Sequence, residues 1–248
     1  MTQPQAVIFG AIGTIVETSD LQRQAFNLAF AEAGLDWSWD IQTYRELLKT
    51  NGGQNRIRTY GDSISVAVNS VHTSVTDLQI GALHQAKTRH YATLLENTHL
   101  YPRAGVVELI EACRHNQIQT ALCTSTSIVN VTAIDRALAR ALPFDQFATI
   151  VTIDRIDRPK PAPDAYLYCL QQLDLTANQV IAIEDTPASI TAAKAAEIIT
   201  IATPGATTSD QDFAAADLVV ADLRGITIDR LSALLQKRRL TAIRRTQI

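Results

Sequence analysis

The chain has 248 residues, 46% of them hydrophobic and 19% charged, with 22 Lys and Arg against 25 Asp and Glu for a formal net charge of −3. That apolar fraction excludes a disordered chain and suits one large domain or a core carrying an insertion, while the mild acidity excludes the strongly basic face needed for non-specific nucleic-acid binding. No apolar run reaches the roughly 20 residues of a bilayer span, and MTQPQAVIFG has neither a basic start nor an apolar export segment, so the expectation is a soluble, cytoplasmic chain that is not transmembrane and binds no nucleic acid.

Taken in chain order, residues 5–9 (QAVIF) read as a short buried strand ended by Gly10 and Gly13. Leu21, Ala25, Leu28, Ala29 and Ala33 repeat at helical spacing, with Gly34 at the place of a C-terminal cap glycine. Helical spacing continues over 40–50, 54–69 and 75–95. From 104 onward helices at 104–115, 128–141, 163–173 and 187–196 precede strands at 118–123, 147–151, 179–183 and 198–202. A strand at 217–220 and a helix from about 227 complete the chain. Strands alternating with helices of this length predict right-handed βαβ crossovers in a parallel sheet, with ligands beyond the carboxyl ends of the strands. The polar clusters fall there: Gly10–Thr14, Thr124–Ser127, Lys160 and Glu184-Asp185. Cys113, Cys123 and Cys169 lie among apolar residues with no metal-ligand spacing and read as buried, reduced thiols.

Those clusters carry a resemblance. The phrases VIFGAIGTIVET, CTSTS, KPAPDAY and IEDTPASITAAKAA resemble, in order, the four motifs of the haloacid dehalogenase-like (HAD) phosphohydrolases. LQRQAFNLAFAEAGLDWSWD with YRELLKTNGGQNRI is similar to the CbbY-type sugar-bisphosphate phosphatases, which also resemble β-phosphoglucomutase. The resemblance implies an α/β, Rossmann-like parallel-sheet core at 1–16 and 97–248, with a small inserted helical cap at 17–96. It further implies a photosynthetic source and a location in cytoplasm or plastid stroma.

The family's first motif, hhhDxDGT, supplies an aspartate nucleophile and an aspartate acid/base two residues later, with Mg²⁺ neutralising the phosphoryl oxygens. Gly10 and Ile12 stand at those positions, so both catalytic carboxylates are missing. The implied metal site is reduced to the Ile12 carbonyl, Asp185 and neighbouring Glu184, which predicts no cofactor, or weak Mg²⁺ at most. Thr124 matches the phosphate-binding hydroxyl and Lys160 the motif-three lysine. Loss of two negative charges beside Lys160 predicts a more positive pocket, with Thr124, Ser125, Lys160, Arg23 and Arg56, and also Glu17, as contacts of a phosphate or sugar phosphate. Gln22 and Gln54 replace a His and a Lys of the CbbY cap, and Ser189 and Glu197 replace usual glycines, a pattern of relaxed catalytic demand.

Each group also has a structural reading: Lys160 as partner of Glu184 or Asp185, those carboxylates as its partners or as a helix cap, the Thr124–Ser127 hydroxyls as loop and capping groups, and Trp37 with Trp39 as a packing cluster. The C-terminal run contains Lys237, Arg238, Arg239, Arg244 and Arg245; taking those five positive charges from a total of −3 leaves the rest at −8. It reads either as a helix end fraying into solvent or as a contact for an acidic protein or an anionic lipid face. The function expected is a catalytically inactive pseudo-phosphatase acting as a binding, assembly or regulatory factor, with another protein or complex as partner. The alternatives are a residual sugar-phosphate phosphatase using water activated by Glu184 or Asp185, and a phosphate-ligand sensor.

Overall fold

A computed structural model describes residues 3–67 and 75–246. Its frame is a six-stranded, all-parallel sheet built from β1 (Ala6–Phe9), β2 (Gln119–Cys123), β3 (Thr149–Val151), β4 (Val180–Glu184), β5 (Ile199–Ala202) and β6 (Leu218–Val219) in the order β3-β2-β1-β4-β5-β6. Every residue of β1 is buried because the strand is central and helices cover both faces. Alternate residues serve opposite layers. Val7, Phe9, Leu122 and Ile183 join one apolar cluster with α5 (Val106–His115), α6 (Ile128–Leu138) and α9 (Ile228–Thr246). Ala6, Ile8, Ala121 and Ala182 join the other with α7 (Asp164–Leu173) and α8 (Pro187–Ala195). Cys113, Cys123 and Cys169 are free and buried.

Between β1 and β2 lie α1 (Ser19–Glu32), α2 (Ile41–Leu47), α3 (Gly53–Ala67) and α4 (Asp77–Glu96). The 54–69 helix reading thus ends at Ala67, and 68 and 69 fall outside the described residues. Gly34, at φ +69°, turns the chain after α1. The Asp40 carboxylate accepts from Thr43 N at the start of α2, and a Thr76/Gln79 capping box starts α4. These helices enclose their own cluster of Phe26, Phe30, Trp39, Tyr44, Leu47 and Ile57. Trp37 and Trp39 belong to this packing: Trp39 is fully buried, 4.5 Å from Phe26 between ring centroids, and Trp37 stacks edge-on against Phe30 and Tyr60. That cluster is distinct from the two on the faces of the sheet, and we refer to these helices as the cap. Its base is shared, since Ala25 of α1 and Tyr91 and Leu95 of α4 pack into the core cluster.

Candidate functional site

The sheet register builds the site. Phe9 is level with Leu122 on one side and Ile183 on the other, so the next residues, Gly10, Cys123 and Glu184, emerge together where the strand order reverses, with Thr124 one residue beyond. Gly10 N donates to Ile183 O at 2.9 Å, pinning the two loops. Gly13, at φ +84°, takes the turn, and its missing Cβ leaves room for the Asp185 carboxylate. Thr14 Oγ1 donates to Asp185 Oδ1 at 3.2 Å.

Lys160 lies in this crevice with its ammonium fully engaged. Nζ reaches Glu184 Oε1 at 2.6 Å, Cys123 O at 3.0 Å, Tyr166 Oη at 3.2 Å and Ser189 Oγ at 3.4 Å. Tyr166 donates its own hydroxyl to the same Glu184 oxygen. Lysine and glutamate side chains are 3% and 2% exposed, so each is the other's answer to burial. Burial alone would lower the Lys160 ammonium, but Glu184, Cys123 and Asp185 together offset it and hold the group above the usual lysine range. With three N–H groups and four acceptors, no donor remains for an incoming phosphate. The expected positive pocket is therefore corrected: Lys160 is neutralised in place, and its structural reading prevails over anion binding.

Position 10 explains how the pair closes. A Cβ added to Gly10 would overlap Glu184 Oε2 and stand 2.7 Å from Thr14 Oγ1. Glu184 thus extends its carboxylate into the space that a side chain at position 10 would occupy. Asp185 is driven the other way. Burial, Glu184 and Glu17 raise its pKa to about 8, against the Thr14 hydrogen bond and Arg103. Neither carboxylate caps α8, whose N-terminus is capped by Thr186 Oγ1 accepting from Ser189 N, with Pro187 in the first turn.

Beyond the strand ends a cavity of about 480 Å³ separates core from cap. Its core wall includes Gly10, Ile12, Thr124, Ser125, Lys160 and Asp185, and its cap wall Gln22, Tyr44, Gln54, Arg56, His84 and Lys87. Thr124 is buried with Oγ1 accepting from Thr126 N, while Ser125 is exposed. Asn130 also lines the cavity, and its buried Oδ1 accepts no hydrogen bond among the described residues. Arg56 is held by the carbonyls of Leu47 and Thr50.

Lys87 is 3% exposed, has no hydrogen-bond or ion-pair partner among the described residues, and lies over the rings of Tyr91 and Phe26 at 4.8 and 5.2 Å. Burial and then Arg56 lower its pKa to about 7, and burial, Lys87 and Arg56 lower His84 to about 4. Lys87 thus brings an amine from α4 to the same wall that holds Gln54. Sequence reading missed Lys87, His84 and Tyr166. The signal for Lys87 was a charge within the buried stripe Ile80, Leu83, Lys87, Tyr91, Leu95.

A haloacid dehalogenase-like hydrolase family model matches residues 4–197. This chain belongs to the haloacid dehalogenase-like hydrolases. It is 36% identical to protein CbbY of Rhodobacter capsulatus over 219 residues, 88% of this chain and 93% of that one. Crystal structures of CbbY from Rhodobacter sphaeroides, one with phosphate and one of a single-substitution variant with xylulose-(1,5)-bisphosphate, superpose with TM-score 0.81 at 34% identity, covering 90% of this chain and 96% of theirs. Fructose-1-phosphate phosphatase YqaB of Escherichia coli is 28% identical over 192 residues, 77% of this chain and 91% of that one. These relatives favour the sugar-phosphate phosphatase alternative; the pseudoenzyme reading rests on this chain's own residues.

Within the haloacid dehalogenase-like frame, a Mg²⁺ ion does not fit the residues present. Gly10 offers no side-chain oxygen, Glu184 is committed to Lys160 and Tyr166, and burial beside Glu184 pushes the Asp185 carboxyl up to about 8. No group of three or more His, Cys, Asp or Glu suited to a metal occurs among the described residues. The raised Asp185 pKa has a stability consequence of definite sign. Between the unfolded value near 3.8 and the folded value of about 8, the folded state holds the extra proton, so stability falls as pH rises through that window. Asp185→Asn is expected to flatten that slope and raise the melting temperature at pH 8.5 but not at pH 4, measured in chelator. An unchanged slope would place the carboxylate in a polar setting.

Two further expectations change. Arg23 does not line the cavity: it pairs with Asp20 at 2.9 Å and donates to Trp39 O, fastening the cap. Glu17 is also outside the cavity lining, with Oε1 accepting from Ser19 N and Oε2 pressed beside Gly205. The C-terminal basic run lies on α9, which is helical through Thr246. Arg238 donates to the Glu197 carbonyl and Lys237 is likewise engaged, while the side chains of Arg239, Arg244 and Arg245 lie outside the described residues. No helix among the described residues is long and apolar enough to cross a membrane.

Proposed function

We propose that this chain is a HAD-fold binding protein without aspartyl-phosphate turnover, holding a small anionic ligand against its cap wall. The observation that carries this reading is at residue 10, where a glycine leaves no nucleophile and the Glu184 carboxylate, tied to Lys160, reaches into its space. Ile12 supplies no proton two residues on. The core side therefore offers a phosphoryl group no free cation, whereas Arg56 and the unpaired Lys87 line the cavity from the cap side. Asn130 Oδ1 is placed to accept from a ligand hydroxyl, which favours a phosphorylated or carboxylated polyol. Cap closure on such a ligand would give a protein partner something to read.

The test pairs turnover with binding. Mg²⁺-dependent hydrolysis of p-nitrophenyl phosphate, sugar monophosphates and sugar bisphosphates should stay at buffer level. The same compounds in a thermal shift assay should raise the melting temperature, by about 5–10 °C for one present at a hundred times its Kd, and Lys87→Met should abolish the shift. A second reading, sugar-phosphate hydrolysis of the CbbY kind, is favoured by the relatives. Turnover that survives repurification and disappears in Asp185→Asn would establish it and overturn ours.

A further inference from the structure

A groove of about 1070 Å³, larger than the phosphatase-like cavity, lies between the C-terminal end of α4 and α6 and is bordered by residues 97–101, where the chain returns from cap to core. Its lining concentrates exposed apolar surface: Tyr101 is 74%, Val129 56% and Ile128 50% exposed. The other large exposed apolar side chains, such as Leu28, Leu78 and Leu167, sit singly on separate elements. An apolar patch gathered in a concave site marks a contact surface, whereas scattered ones do not.

The groove also has a charge pattern. Arg136 of α6 and Arg140, two residues beyond its C-terminal end, line this side of the groove and are exposed, with no ion-pair or hydrogen-bond partner among the described residues. His99 adds a third nitrogen base and Glu96 is the acid opposite. A basic wall on a chain of net charge −3 is a local feature with a directional consequence.

We infer that this groove docks an amphipathic helix of a partner protein, apolar side chains over Val129, Ile128 and Tyr101 and acidic side chains over Arg136 and Arg140. A flat lipid surface could not follow a trough between two helices, and a small molecule would leave much of its length empty. A trough between two helices that exposes Ile128, Val129 and Tyr101 instead matches a third helix inserting anchors at helical spacing. Because α4 belongs to the cap and α6 to the core, the docked helix spans both. The inference does not depend on the proposed function, since the groove is separate from the cavity and would remain if the protein hydrolysed phosphate esters.

The test uses two synthetic amphipathic helical peptides with the same leucine stripe, one flanked by glutamates and one by lysines, titrated into the full chain and followed by fluorescence anisotropy. The acidic peptide should saturate, and the lysine peptide should not. Arg136→Glu with Arg140→Glu should weaken the acidic peptide by at least about tenfold and admit the lysine peptide, and Val129→Asp should abolish both interactions. All three changes are at exposed side chains, and circular dichroism with thermal melts checks that the variants fold. Binding of the acidic peptide unaffected by charge reversal, or no binding, overturns the inference. Concentration-dependent dimerisation lost in Val129→Asp would assign the groove to a second copy, and partition into anionic vesicles lost in the same variant would assign it to lipid; either result also overturns it.

Discussion

Lys160→Met is expected to destabilise the protein by about 3–5 kcal/mol, the cost of leaving a buried charge without its partner. Glu184 is 2% exposed, and Lys160 is the cation within 2.6 Å of it, so the substitution strands a carboxylate with only the Tyr166 hydroxyl. For a chain of this length that corresponds to a fall of about 6–20 °C in melting temperature. The companion Lys160→Met/Glu184→Gln variant removes both charges and should recover most of the loss, because two neutral side chains need no compensation. Urea denaturation of the wild type, the single variant and the double variant measures all three. A single-variant loss below about 1 kcal/mol would mean that Glu184 finds water or another donor when the lysine is gone, and the closed pair would no longer explain the occupied space at Gly10.

Restoring the missing aspartates should produce the second large effect. Gly10→Asp combined with Ile12→Asp adds two carboxylates beside Glu184 and Asp185, and the Cβ at residue 10 forces Glu184 to swing away. In chelator the double variant should therefore be less stable than wild type by several kcal/mol, since like charges in a buried site raise each other's pKa and disfavour the folded, ionised state. Mg²⁺ should reverse much of that loss, because the displaced Glu184, Asp185 and a new carboxylate would form a cation site the wild type lacks. Hydrolysis of p-nitrophenyl phosphate should appear with the metal, the acid/base alone being worth about 10²–10⁴ in rate. Rates on a sugar bisphosphate should stay far below those on the small ester because Gln22 and Gln54 remain in the cap wall. Rapid bisphosphate hydrolysis would show that Arg56 and Lys87 suffice for recognition and that the cap has lost nothing. Failure of Mg²⁺ to stabilise the double variant would mean that Glu184 keeps its hold on Lys160.

The order of strands and helices was legible in the sequence because it is written in local periodicity: continuous apolar runs for strands buried on both faces, three-and-four spacing for helices, and glycine or proline at their ends. The four polar clusters could be assigned to strand ends on the same grounds, and the absence of a side-chain carboxylate at Gly10 and Ile12 needs no coordinates at all. What Lys160, Glu184 and Lys87 do was decided only by tertiary structure. Lys160 and Glu184 are 24 positions apart, and whether they form a pair or line an open pocket depends on the register that sets β4 beside β1 and on the space left by a missing side chain. Lys87 is one of two cations on its helix, with Arg89, until packing buries it against Phe26 and Tyr91. Charge type is a property of the residue; its neutralisation and burial are properties of what the fold brings within a few ångströms, and no local pattern encodes them.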